Sequence, residues 1–289
     1  MTRRDKAPTL AADQLPALPL RPAAATLRVL MIGDVIGKPG RQCLERELPG
    51  LRNARAIDLV TANGENLAGG MGLTPSTAGA LFDSGVDVIT SGNHIWDKRE
   101  IIPELDREER ILRPLNYGER DVPGRGWGMF HAADGTEVAV INAQGRSTMI
   151  PIDNPFTSLD RLLDEGADEL PAICLVDFHC ELTSEKNAFG LHLDGRVSAV
   201  VGTHTHVPTA DERILPRGTA YVSDLGMTGP LDSVIGFEPQ SVLPRFINGL
   251  PTRFEVGSGP VVFNALLIDV DTAGGRARSV ERIARVVDV

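Results

Sequence analysis

Five short stretches concentrate the side chains best able to hold metal ions: Gly33-Asp34, Gly64-Glu65-Asn66, Gly92-Asn93-His94, the isolated His179, and Gly202-Thr203-His204-Thr205-His206. The chain has six histidines, and four of them fall in these stretches. Carboxylate, amide oxygen and imidazole are hard-to-borderline donors suited to manganese, iron or zinc. A carboxylate such as Glu65 has two oxygens and can bridge two cations. Two ions about 3.5–4 Å apart can clamp a phosphate, generate hydroxide at neutral pH and stabilise a leaving oxygen. Each stretch alone has an ordinary reading, as a strand-end aspartate, a turn, a loop asparagine or a near-core histidine. The set carries the argument, because every member ends or follows an apolar run.

Those runs read as β-strands. Residues 27–32 are almost continuously apolar, as a buried parallel strand should be. Residues 57–62, 86–90, 137–142, 172–178 and 197–202 repeat the pattern, and 220–223 and 261–269 complete the strand content. Pro39 opens a helix with Leu44 and Leu48 on one face. Thr74 and Pro75 open another that runs to about Ser84. Further helices are expected near 98–107, 158–165 and 240–248, whereas the Gly- and Pro-rich stretch 113–128 reads as a long loop. This alternation predicts a layered α/β domain, its strand-rich later part forming a mixed sheet or a two-sheet sandwich. Ligands of open α/β sheets bind beyond the carboxyl ends of strands, where all five stretches lie. Residues 27–289 show no composition break and are expected to form one domain. Residues 1–26 are rich in Ala, Leu and Pro and read as a disordered tail or an over-extended start site.

Composition narrows the function. Over 289 residues the net charge is −10, so general attraction to a phosphate backbone is excluded and duplex nucleic acid is not an expected partner. A small phosphate ester can still bind through metal ions. No run approaches the roughly 18 apolar residues that cross a bilayer, so no membrane association is expected. Cys43, Cys174 and Cys180 form neither a CxxC pair nor an even framework, which points to a reducing cytoplasm and three buried thiols. The glycine-dense stretch 66–72 lacks the GK[ST] ending of a P-loop and reads as a flexible loop beside the site. Gly33, Gly37 and Gly40 have the wrong spacing for a dinucleotide fingerprint. Trp96 and Trp127 read as packing residues, His131 and His192 take no role, and Arg146 is left between phosphate contact and plain solvation.

The ordered set resembles the calcineurin-like metallophosphoesterase superfamily, whose members carry D-x-H, G-D-x-x-D, G-N-H-[DE], a lone His and G-H-x-H in the same order. The spellings Gly33-Asp34-Val35-Ile36-Gly37, Asn63-Gly64-Glu65-Asn66 and Ser91-Gly92-Asn93-His94-Ile95-Trp96-Asp97 are more similar to its bacterial YmdB-like branch. The resemblance runs from about Leu27 to the C-terminus. It implies a metallophosphoesterase-type layered α/β sandwich, with mixed central β-structure flanked by helices. It implies a homo-oligomer that hydrolyses small phosphodiesters, 2′,3′-cyclic nucleotides above all, to 3′-nucleotides. Asp34, Glu65, Asn66 and His206 would hold one metal, and Glu65 would bridge to a second held also by Asn93, His179 and His204. A metal-bridging hydroxide would attack phosphorus while His94 protonates the departing oxygen. Two departures from the wider superfamily stand out: Ile36 replaces the histidine of D-x-H, and Glu65 replaces the bridging aspartate. The resulting oxygen-rich donor set favours iron or manganese over zinc. The alternatives are a phosphomonoesterase or single-strand nuclease using the same site, or a regulatory binding protein that keeps the shell.

Overall fold

A computed structural model describes residues 25–118, 121–166 and 169–289. The expected tail lies outside the described residues except for its last two, and the first strand opens at Thr26.

Two six-stranded mixed sheets form the centre. The first contains β1 (Thr26–Val35), β2 (Leu59–Asn63), β3 (Val88–Thr90), β10 (Met227–Pro230), β11 (Val261–Asp271) and β12 (Ala277–Val287), ordered β12-β11-β10-β1-β2-β3. Strands β10, β1, β2 and β3 run parallel, whereas β11 and β12 are antiparallel additions. The second is ordered β4-β5-β6-β7-β9-β8, from β4 (Trp127–His131), β5 (Glu137–Gln144), β6 (Ile173–His179), β7 (Ala199–Thr203), β8 (Arg213–Ile214) and β9 (Ala220–Val222). Its four inner strands are parallel and both edges antiparallel. The helices are α1 (Gly37–Ala54), α2 (Pro75–Asp83), α3 (Pro155–Glu165), α4 (Thr183–Leu193) and α5 (Pro239–Asn248).

Side-chain alternation along the strands sorts the core into layers. Leu27, Val29 and Met31 of β1 meet Ile173, Leu175, Ala199 and Val201 of the other sheet. Leu30, Ile32, Val60 and Ala62 point the other way and pack on Cys43, Leu44 and Leu48 of α1. On the opposite flank Ile141, Cys174 and Val176 pack on Leu159 of α3 and Phe189 of α4. The result is a helix–sheet–sheet–helix sandwich. Burial of each such Val, Leu or Ile contributes about 1.5–3 kcal/mol.

One irregularity prepares the site. The register of β1 against β2 runs Ile32 to Ala62 and then Asp34 to Asn63, so Gly33 is an extra residue. That slip turns Asp34 onto the face between the sheets, beside Asn63. A Cβ at Gly33 would lie 1.9 Å from the Gly226 carbonyl oxygen, so only glycine fits there. At the carboxyl ends of the parallel strands the apolar layer between the sheets therefore gives way to a polar one. Asn63 of β2 donates to Asp177 of β6 across it at 3.2 Å, and Thr90 of β3 also donates to Asp177.

Other elements differ from expectation. The helix expected over 98–107 is only a 3₁₀ turn at Arg99–Ile101 followed by turns, with Pro103 unable to supply a helical N–H. Strand β4 occupies the end of the expected loop, and β10, β12 and α4 have no counterpart in the reading of the sequence.

Candidate metal centre

All eight side chains singled out in the sequence converge where the two sheets open. They fall into two neighbouring groups joined by one carboxylate. In the first, Asp34 Oδ1 lies 3.8 Å from His206 Nε2, and the same nitrogen is 3.2 Å from the Asn66 amide. In the second, His179 Nε2 lies 3.2 Å from Asn93 Oδ1 and 3.0 Å from His204 Nδ1. Glu65 stands between, its Oε1 3.1 Å from His179 Nε2 and 3.5 Å from the Asn66 amide nitrogen. Its other oxygen accepts the backbone N–H of His94 at 3.0 Å.

The histidines are held so that one ring nitrogen of each faces the cluster. His206 Nδ1 donates to the Ile235 carbonyl at 2.8 Å, which leaves Nε2 toward Asp34. His179 Nδ1 is 3.0 Å from Thr203 Oγ1, and that hydroxyl donates to Asp177 at 2.6 Å, so Nδ1 carries the proton and Nε2 faces Glu65. His204 pairs through Nε2 with Glu181 at 3.1 Å and turns Nδ1 inward. His204 and His206 both have positive φ, at 100° and 64°. Such left-handed backbone costs a non-glycine residue about 1–3 kcal/mol and is kept where the surroundings enforce it.

A buried ion pair enforces it. Lys186 Nζ lies 2.5 Å from Asp224 Oδ2, and that carboxylate also accepts from the Thr205 hydroxyl at 2.8 Å and its N–H at 3.2 Å. The pair clamps the Thr203–His206 turn from below. Close approach elsewhere depends on Gly92, where a Cβ would meet the His179 ring at 2.1 Å.

Burial and mutual charge shift the titration of the clustered groups. Asp34 is wholly buried, its Oδ1 has no hydrogen-bond partner among the described residues, and burial pushes its pKa up to about 6 against the pull of His206 and His179. Burial would also raise Glu65, but His179 and His94 outweigh it and bring the carboxyl down to about 2. Burial disfavours a charge on His179, yet Glu65, Asp34 and Asp177 together lift it to about 9. Burial, then the neighbouring His179, pushes His204 down to about 3. Glu65, His179 and His204 each offer a donor atom within 4.8 Å of the others, a cluster able to hold a metal ion.

Several supporting residues carried no role in the sequence reading: Asp177, Thr203, Glu181, Lys186 and Asp97. Asp97 Oδ2 lies 2.7 Å from His94 Nδ1, and only its place three residues after His94 hinted at this. Trp96 packs against the apolar core and edge-on to Tyr117 at 5.5 Å, away from the cleft as expected. Cys43, Cys174 and Cys180 are all buried thiols, also as expected. Arg146 is exposed and does not line the cleft.

The comparisons with known proteins bear on this geometry. A family model described as YmdB-like protein matches residues 30–283. The chain belongs to the YmdB-like family. A Bacillus subtilis (strain 168) relative named 2′,3′-cyclic-nucleotide 2′-phosphodiesterase is 47% identical over 257 residues, 89% of this chain and 96% of the relative. A solved hypothetical protein from Thermus thermophilus superposes with a TM-score of 0.84 at 42% identity, covering 90% of this chain and 99% of that one. A solved phosphatase from Mycoplasma pneumoniae gives 0.86 at 35% identity, covering 92% and 95%. The YmdB-like chain thus shares its layered fold with proteins of similar length.

Proposed function

We propose that this YmdB-like chain is a metal-dependent phosphodiesterase that opens 2′,3′-cyclic nucleotides to 3′-nucleotides. The observation that carries the reading is Asp34 Oδ1, a fully buried carboxylate oxygen without a hydrogen-bond partner among the described residues, facing the rings of His206 and His179. A buried anion in that position calls for a cation. The Bacillus subtilis relative's name supplies the substrate class.

Asp34, Asn66 and His206 would hold one ion, Asn93, His179 and His204 the other, and Glu65 both. When bound, a pair of iron or manganese ions supplies Lewis acidity and a nucleophile derived from water. The chain's own residues do the rest. Asn93, and Asn66 once its amide oxygen replaces the nitrogen that faces Glu65 and His206, would bring neutral oxygen donors, limiting the negative charge beside an anionic phosphate. His94 lines the cleft with Nδ1 held by Asp97, so Nε2 is the nitrogen that gives a proton to the departing 2′ oxygen. The apolar wall opposite, from Phe237, Val242 and Phe254, excludes water from the reacting phosphate. A binding-only role is disfavoured because every nominated ligand and the acid are in place.

We read residues 27–289 as one domain and the protein as a cytoplasmic homo-oligomer, the assembly that the family resemblance implies. Among the described residues no helix is long and apolar enough to cross a membrane. The test is ³¹P NMR of 2′,3′-cAMP incubated with the iron- or manganese-loaded protein. Accumulation of 3′-AMP alone supports the reading, and an unchanged cyclic phosphate overturns it.

A further inference from the structure

The cleft beside the cluster holds about 540 Å³, and its outer wall is aromatic and apolar. Phe246 on α5 is 77% exposed at its rim, an unusual place for a phenylalanine that nothing among the described residues covers. Behind this wall lies a second cavity of about 400 Å³ that shares Met71, Phe237, Arg245 and Phe254 with the first. Lys98, Arg245 and Arg253 line it, and no carboxylate does among the described residues. None of these three cations forms an ion pair among the described residues; Arg245 instead sits 5.5 Å over the Phe254 ring. Glu181, which lines the first cleft and not the second cavity, is tied to His204.

Three unpaired cations gathered on one cavity repel one another and call for an anion, all the more in a chain of net charge −10. A basic track flanked by aromatic faces is the arrangement that binds single-stranded nucleic acid, with bases stacked and phosphates paired. Building on the phosphodiesterase reading above, we propose that the natural substrate is a short single-stranded oligoribonucleotide ending in a 2′,3′-cyclic phosphate. The terminal base lies against Phe246 and Phe254, and the next phosphate of the strand sits among Lys98, Arg245 and Arg253. Water adds to phosphorus, the bond to the 2′ oxygen breaks, and that oxygen takes a proton, leaving a 3′-phosphate end. Such cyclic ends are made when a ribose 2′-hydroxyl displaces the adjoining nucleotide, so RNA cleavage of that class must supply the substrate. The net charge of −10 still disfavours duplexes.

The test compares adenosine 2′,3′-cyclic phosphate with the dinucleotide carrying the same cyclic end, using the full-length metal-loaded enzyme at low salt. The dinucleotide should show a KM lower by about tenfold, the effect of one charge-assisted contact, and the advantage should shrink as salt rises. Arg253→Glu should abolish the advantage and Arg253→Lys should keep it. Equal KM values in the wild type, or an advantage that survives Arg253→Glu, would overturn the oligonucleotide proposal alone. Failure to turn over either substrate would overturn the phosphodiesterase reading as well.

Discussion

The Thr203 hydroxyl lies 3.0 Å from Nδ1 of His179 and is itself oriented by Asp177. Because the hydroxyl donates to the carboxylate, it can only accept from His179, and the ring is fixed with Nε2 toward Glu65. Thr203→Val removes that acceptor while nearly preserving shape. Metal affinity should fall by about 10–100-fold, read by chelator competition. An affinity equal to wild type would show that the tautomer needs no such support.

Metal uptake should release protons. In the ion-free protein His179 is raised to about 9, so at pH 7.5 it carries a proton that a metal must displace. Affinity should rise with pH up to about 9, and weaken further below about 6, where Asp34 is also protonated. Calorimetry in buffers of different ionisation enthalpy should count about one proton released at pH 7.5. A count of zero would contradict the charged His179.

The same groups set the pH dependence of metal-free stability. Raised from 6.5, His179 contributes stability that is complete below about 6.5 and lost as pH rises through about 9. Glu65, lowered from 4.5, contributes stability present above about 4.5 and lost as pH falls through about 2. Asp34, raised from 3.8, makes folding less favourable as pH climbs from about 3.8 through about 6. His204, lowered from 6.5 to about 3, works against this by making folding more favourable as pH climbs through about 6.5, without outweighing His179 and Asp34 together. The metal-free protein should therefore melt at a higher temperature near pH 5 than near pH 9.5. Thermal scans across that range test it, and a higher melting temperature at pH 9.5 would refute it.

Breaking the buried Lys186–Asp224 pair should cost more than any surface ion pair. Lys186→Met strands the Asp224 carboxylate in the interior, a loss of about 3–5 kcal/mol measured by denaturant unfolding. A loss below about 1 kcal/mol, the range of exposed pairs, would mean that water reaches Asp224.

His94→Ala should reduce kcat by about 10²–10⁴ on 2′,3′-cAMP while bound metal stays at the wild-type level. With a p-nitrophenyl ester, whose leaving group needs no proton, the loss should be much smaller. Equal losses on both substrates would remove His94 from the general-acid role.

The site was more legible in the sequence than the scaffold around it. Asp34, Glu65, Asn93, His179 and His204 each close an apolar run, and strand ends on a parallel sheet gather in space whatever the strand order. The support was hidden for physical reasons. Asp177 and Thr203 lie inside apolar strands and look like tolerated polar residues until the opposite sheet is placed over them. Helix α4 carries Lys186 on its buried face, so its pattern does not look amphipathic. Strand β12 carries Arg278, Glu281, Arg282 and Arg285 along an edge, the charges that keep edges from pairing further, and so reads as solvated chain. No local signal reports the slip at Gly33 that turns Asp34 into the site, because it exists only in the pairing with β2.

Two ions held by this cluster would make the chain a hydrolase. Elemental analysis of protein purified without oxygen, with hydrolysis of 2′,3′-cAMP measured on the same sample, tests it most directly. About two equivalents of iron or manganese with turnover, both metal and turnover falling in His204→Ala, is the predicted result. Hydrolysis by a sample that holds no metal, or undiminished turnover in His204→Ala, would contradict it.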